Sequence, residues 1–253
     1  MLKTRVIPVL LLQGSGLVKG QQFKNHKYVG DPLNVVKIFN EKEVDELVFL
    51  DISATCENRG PDFDLILDIA SEAFMPFAYG GGVKIVGQVE RLFSIGVEKV
   101  IINTAAFLDI KFVKESVKVA GSQSIVVCMD IKKSFLGSYE VYVNNGKINT
   151  KLDPITYAKQ MQDLGVGELI VNSIDREGTG KGYDIKLLKM VSNEVEIPVI
   201  GLGGAGCMQD LVDAKNQTAV SGLAAGNLFI FYGKHKAVLI TYPKYSELEK
   251  LFT

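Results

Sequence analysis

Two histidines and three cysteines, at positions 56, 128 and 207, are all that 253 residues offer to soft metal ligation or thiol chemistry. An odd, widely spaced set of thiols supplies neither a disulfide framework nor a zinc site, and no metal or cofactor is expected. Charge of one sign is also lacking. With 28 Lys and Arg against 29 Asp and Glu, the net charge is −1, which gives nucleic acid or an anionic membrane no electrostatic handle. No apolar run approaches the length of a membrane span, and the first residues carry no apolar segment followed by a cleavage site. A cytoplasmic protein in a reducing setting is the expectation.

What is present is a 47% hydrophobic chain with 25 glycines, ample for a core and for tight turns. Short apolar runs alternate with segments of helical period throughout. The runs predict strands at 5–12, 46–51, 76–79, 99–103, 124–130, 168–173, 197–201 and 219–224. The periodic segments predict helices near 32–42, 61–73, 85–95, 109–119, 154–165, 184–193, 207–214 and 243–251. Asp31-Pro32 and Asp153-Pro154 place a capping carboxylate and a first-turn proline at two helix starts, and Gly60-Pro61 marks a third. Asn145-Gly146, within alternating residues from Glu140 to Lys151, predicts a β-hairpin inserted after strand five. Eight strand–helix units in a chain of this length point to a closed α/β barrel, a (β/α)8 TIM barrel, forming one domain over 1–253.

The chain also repeats itself. Glu46-Leu-Val-Phe-Leu-Asp-Ile echoes Glu168-Leu-Ile-Val-Asn-Ser-Ile, and Pro76-Phe-Ala-Tyr-Gly-Gly-Gly echoes Pro198-Val-Ile-Gly-Leu-Gly-Gly. Asn103-Thr-Ala-Ala-Phe echoes Leu223-Ala-Ala-Gly-Asn more loosely. Two duplicated half-barrels, about 1–122 and 123–253, follow. The strand from Ser124 to Lys133 runs into an acid, Asp130, while its twin from Val6 to Gln13 has Leu11 in the corresponding place.

Three constellations carry chemistry. Gly81, Gly82, Asn103 and Thr104 end strands three and four, and Gly203, Gly204, Ala225 and Gly226 end strands seven and eight. Small residues there let backbone N–H groups cradle an anion, so two phosphate sites face each other; tight turns needing positive φ are the competing explanation. The second constellation is the set of rim acids, Asp51, Asp130, Asp175 and Glu177, with Lys19 and Arg176 nearby. Such groups divide acid and base roles or simply cap turns. The third is Arg5, Glu46, Lys99 and Glu168 at strand starts, either converging on the barrel axis as a neutral ring or pointing to solvent. His26 and His235 show no partner.

With these motifs in place, the whole chain resembles the cyclase subunit of imidazole glycerol phosphate synthase. Lys19-Gly20, Asp45-Glu-Leu-Val-Phe-Leu-Asp-Ile, Tyr79-Gly-Gly-Gly, Ile102-Asn-Thr-Ala-Ala, Ser173-Ile-Asp-Arg-Glu-Gly-Thr and Gly203-Gly-Ala-Gly carry the resemblance. It implies a duplicated half-barrel fold, a glutaminase partner on the N-terminal face, and ammonia passing through a gate to a bis-phosphate substrate at the other end. Arg5, Glu46, Lys99 and Glu168 match the gate. Gly178 joins the residues above on the substrate side. Of the family's two catalytic aspartates only Asp130 matches; Leu11 can neither transfer a proton nor hold a charge. Leu202 replaces a serine, Gln13 a lysine, and Glu177 an aspartate. The Gly226-Asn227 region and the tail from His235 to Pro243 also diverge, and the tail resembles cyclase-like proteins found with surface-polysaccharide genes. The implied function is a barrel that channels ammonia from the glutaminase to an ATP-dependent enzyme amidinating a sugar. An active cyclase of histidine synthesis, and a non-catalytic scaffold binding a phosphorylated small molecule, are the alternatives.

Overall fold

The computed structural model describes residues 4–233 and 235–252. Residues 1–3, 234 and 253, which the predicted half-barrel bounds include, lie outside the described residues. In chain order the first half contains β1 (Arg5–Gln13), β2 (Gly16–Gln21), β3 (Lys24–Gly30), α1 (Pro32–Glu41), β4 (Leu47–Asp51), α2 (Phe63–Glu72), β5 (Phe77–Gly80), α3 (Val86–Ser94), β6 (Lys99–Ile102), α4 (Thr104–Leu108) and α5 (Ile110–Ala120). The second half contains β7 (Ile125–Lys133), β8 (Tyr139–Val143), β9 (Ile148–Asn149), α6 (Pro154–Asp163), β10 (Glu168–Ser173), α7 (Ile185–Ser192), β11 (Val199–Leu202), α8 (Met208–Gln217) and β12 (Gly222–Ala225). It ends with α9 (Asn227–Ile230), β13 (Phe231–Tyr232), β14 (Ala237–Val238) and α10 (Tyr245–Phe252).

Parallel pairings β1–β4, β4–β5, β5–β6, β6–β7, β7–β10, β10–β11, β11–β12 and β12–β1 close the cylinder, a (β/α)8 barrel. Strands buried on both faces explain the near-continuous apolar runs. Inward positions such as Ile7, Val48, Ile101, Cys128, Ile170 and Ile200 form one cluster, and outward positions pack against the helices in a second. Aspartates cap the helices: Asp31, Asp62, Asp109, Asp153 and Asp184 each accept the N–H three residues on. The start expected at Gly60-Pro61 therefore moves to Asp62, because a carboxylate captures an orphan N–H and a glycine–proline pair does not.

The hairpin expected after the fifth barrel strand is present: β8 pairs antiparallel with β7 and, across Asn144–Lys147, with β9. A second, unexpected hairpin, β2–β3, stands on β1 at the equivalent place in the first half. Its reversal uses Gln22 and Phe23 at φ 50 and 62, positions with no glycine to announce them. The repeat extends to contacts. A Cβ on Gly81 would lie 2.5 Å from Asp51 O, and one on Gly203 would lie 2.8 Å from Ser173 O; both residue pairs are related by a step of 122. One correction concerns the last strands. Lys99 pairs beside Ala78 and Gly222 beside Ile200, so Asn103 corresponds to Gly226 rather than to Leu223.

No helix among the described residues is long and apolar enough to cross a membrane.

Candidate functional site

The C-terminal ends of the barrel strands surround a cavity of about 460 Å³. Leu11, Lys19, Asp51, Gly81, Gly82, Asn103, Thr104, Asp130, Glu177, Gly178, Leu202, Gly203, Gly204, Ala225 and Gly226 line it. Asp175 and Arg176 do not. The Asp175 carboxylate instead accepts the Lys133 N–H at 2.9 Å, pinning the β7–β8 hairpin, and Arg176 donates to Lys181 O at 2.9 Å. His26, which shows no partner in the sequence, lines the cavity from β3, and His235 is exposed.

Asp130 sits at the top of β7 and is 8% exposed. Asn172 donates to its Oδ1 at 2.8 Å and Asn103 to its Oδ2 at 3.0 Å. Burial nonetheless outweighs these bonds and raises its pKa to about 7, with the charge of Glu177 acting in the same direction. A carboxyl that titrates near neutrality suits proton transfer. In strand register Leu11 lies beside Leu50 and Asp130 beside Asn172, and 50 and 172 are again 122 apart. One half of the rim presents acid and amide, the other two leucines.

Lys19 reaches inward from β2 and is buried, with Nζ 2.6 Å from Val9 O. Burial lowers its pKa to about 8 despite the nearby carboxylate of Glu177. Glu177 is itself raised by burial, against Lys19 and the backbone N–H groups of Phe23 and Gln22. Gly226 makes room for this amine, since a Cβ there would lie 2.2 Å from Nζ. Asp51 has a different character. Its Oδ1 accepts Ser53 N, Ser53 Oγ, Ala54 N and Arg59 Nη2, while Arg59 Nη1 lies 2.7 Å from Oδ2. Those bonds hold the 52–60 loop and leave the carboxylate little capacity for a reactant. The glycine turns take positive φ at Gly81, Gly82, Gly203 and Gly204, so close backbone approach requires glycine there whether or not an anion binds.

At the opposite end, Arg5, Glu46, Lys99 and Glu168 do converge. Arg5 Nη1 contacts Glu46 Oε2 at 2.6 Å and its Nη2 bonds Glu168 Oε1; Lys99 Nζ contacts Glu46 at 2.9 Å and Glu168 at 3.0 Å. Cations and anions alternate in a closed ring. Both glutamates are buried and both cations partly exposed. Period-two alternation then points Ile7, Val48, Ile101, Val126 and Ile170 into the barrel above the ring, an apolar interior that leads to the cavity.

Sequence reasoning missed Asn172, Arg59 and His26. Asn172 had a legible signal, an amide inside the buried run Glu168-Leu-Ile-Val-Asn-Ser; Arg59 and His26 owe their positions to loop and hairpin geometry.

A family model described as histidine biosynthesis protein matches residues 5–236. The chain is 49% identical to a Pseudomonas aeruginosa protein provisionally named imidazole glycerol phosphate synthase subunit hisF2, over 98% of this chain and 99% of that one. It is 46% identical to a Leptospira interrogans protein provisionally named as subunit HisF, over the full length of both. Against the imidazole glycerol phosphate synthase subunit HisF of a Hydrogenobaculum strain it is 41% identical, over 91% of this chain and 92% of that one.

Proposed function

The chain belongs to the histidine biosynthesis protein family, and we propose that it serves as a HisF-like cyclase subunit whose retained task is ammonia delivery. A glutaminase docks on the N-terminal face, ammonia passes the Arg5–Glu46–Lys99–Glu168 ring, and it travels through the barrel to an acceptor at the cavity. The acceptor reaction is amidination of a cell-surface sugar by a separate ATP-dependent enzyme. The observation that carries this reading is the contrast between the two ends: four complementary charges in a complete ring, and an acid facing a leucine. The apolar interior supports it further, since neutral ammonia crosses such a section while ammonium pays a heavy desolvation cost. Lys19, Thr104 and the backbone N–H groups of the glycine turns and of the strand end at Asn103 bind a phosphorylated molecule at the cavity, and Asp51 serves that site by holding the 52–60 loop.

Co-expression with the glutaminase tests the partnership. A complex should co-purify and hydrolyse glutamine faster than the free glutaminase; absence of both complex and stimulation would reduce the barrel to a ligand-binding scaffold.

One feature favours a second reading, the active cyclase: Asp130, its pKa raised by burial to about 7, lines a cavity that keeps both glycine turns. Assay with ammonium salt and the family's bis-phosphate substrate separates the two. Loss of one proton-transferring group costs ~10²–10⁴-fold, and turnover is expected to fall short of an ordinary cyclase by that range. Ordinary turnover would overturn the delivery reading.

A further inference from the structure

The floor of the cavity is divided into a polar and an apolar side. Three adjoining strands, β6, β7 and β10, supply the polar side through Asn103, Asp130 and Asn172. These residues bond to one another: Asn103 donates to Asp130 Oδ2 at 3.0 Å and Asn172 to Oδ1 at 2.8 Å, and Asn103 also reaches Cys128 O. Round the rest of the closure β11, β12, β1 and β4 adjoin, and three of them end in a leucine that lines the cavity, Leu202, Leu11 and Leu50.

The leucine side is open to a ligand. Leu11 and Leu50 pack on the inward-facing cluster of the barrel, yet each is only partly buried. An inward position in a closed barrel is exposed only toward the space inside it, here the cavity. At the mouth, Leu108 at the end of α4 and Ile148 on β9 line the same cavity and are 72% and 50% exposed. Apolar surface left wet at floor and mouth favours an occupant that covers it.

The anionic anchor stands on the same side. Gly203 and Gly204 follow Leu202 directly, and the amine of Lys19, buried and bonded to Val9 O, lies beside Gly226 just past β12. The proposed phosphate site, on which this inference rests, therefore borders leucine. Atoms next to a phosphate held there lie over carbon. Hydroxyls on those atoms would leave water without gaining a partner, whereas an apolar body has nothing to lose.

We propose that the cavity binds a phosphate ester with an apolar, hydroxyl-poor carbon body, which rests on Leu11, Leu50 and Leu202 while Lys19 and the Gly203–Gly204 turn hold its phosphate. This molecule is a ligand of the barrel itself, distinct from the hydroxyl-rich sugar that the proposed partner enzyme amidinates.

Calorimetric titration of the full chain compares four probes: 1-naphthyl phosphate, 1-naphthol, inorganic phosphate and fructose 1,6-bisphosphate. Naphthyl phosphate should bind tightest, at least tenfold ahead of fructose 1,6-bisphosphate, with the negative heat-capacity change of apolar burial. Leu11→Asn should weaken naphthyl phosphate about tenfold, the scale of one leucine's apolar contact, and leave inorganic phosphate unchanged. Leu50→Asn repeats the test where the first variant folds poorly, and the wild-type order stands without either. A fructose 1,6-bisphosphate affinity within tenfold of naphthyl phosphate, or above it, would overturn the apolar preference and keep the phosphate site. Unchanged naphthyl phosphate binding in the folded variants would overturn it too, because the ligand would then lie off the leucines. Naphthol binding as tightly as its phosphate would instead remove the phosphate site, and no saturable binding by any probe would overturn both.

Discussion

Asp130 shows why a residue's type and strand position were legible while its state was not. An acid ending an apolar run marks the rim of a barrel, and that much is written in Ser124 to Lys133. Its pKa near 7 depends on burial and on Asn172, which arrives from a strand 42 residues on. Asp51, which looked equivalent in sequence, is instead committed to Arg59 and three loop groups. The raised pKa has a consequence for stability. Between the ordinary value of 3.8 and about 7 the folded Asp130 holds its proton while the unfolded one has lost it. Its contribution is therefore fully present below pH ~4 and is lost as pH rises to ~7. Asp130→Asn removes this dependence. The difference in unfolding free energy between variant and wild type should move in the variant's favour from pH 4 to pH 7, by on the order of 4 kcal/mol at most. Urea midpoints across that range check it, and a difference independent of pH would show that Asp130 is not perturbed.

At the level of elements, strands and helices were readable because doubly buried strands and Asp-capped helices each leave a local pattern. The β2–β3 hairpin was not, because its turn residues, Gln22 and Phe23, adopt positive φ only under the docking of Gln22 N on Glu177 O and its side chain on Asp175 O. The glycine turns were visible, yet their close approach depends on loops from the preceding unit: a Cβ would meet Arg59 O at 2.6 Å from Gly82, and Gly182 O at 2.2 Å from Gly204. Gly82→Ala and Gly204→Ala should each destabilise by about 1–3 kcal/mol from backbone strain alone, with local shifts adding more. Gly87→Ala, inside α3 with nothing within 4 Å of the added Cβ, should instead stabilise by about 0.5–1 kcal/mol. Thermal or urea midpoints of the three variants test the contrast. If all three lose stability equally, close packing of the two turns is not its cause.

For the whole molecule, the decisive question is what the charge ring does, since the same four contacts would result from a gate or from a static plug. Each glutamate bonds both cations, so removing Lys99 leaves Glu46 and Glu168 sharing Arg5. The loss exposes two buried carboxylates to each other across the axis, with a single guanidinium to screen them. Lys99→Ala should cost stability of about 1–3 kcal/mol, toward the lower end because Lys99 is 23% exposed and solvent screens part of the interaction. A plug predicts nothing more. A gate predicts that glutamine-dependent transfer falls while transfer from added ammonium salt, which reaches the cavity from the open end, does not change. The ratio of the two rates in the assembled complex is therefore the informative measurement. Lys99→Arg restores charge with a different shape and should recover the stability more fully than the ratio. If glutamine- and ammonium-dependent rates stay in the wild-type proportion in Lys99→Ala, the ring is a structural closure and nitrogen enters the barrel by another path.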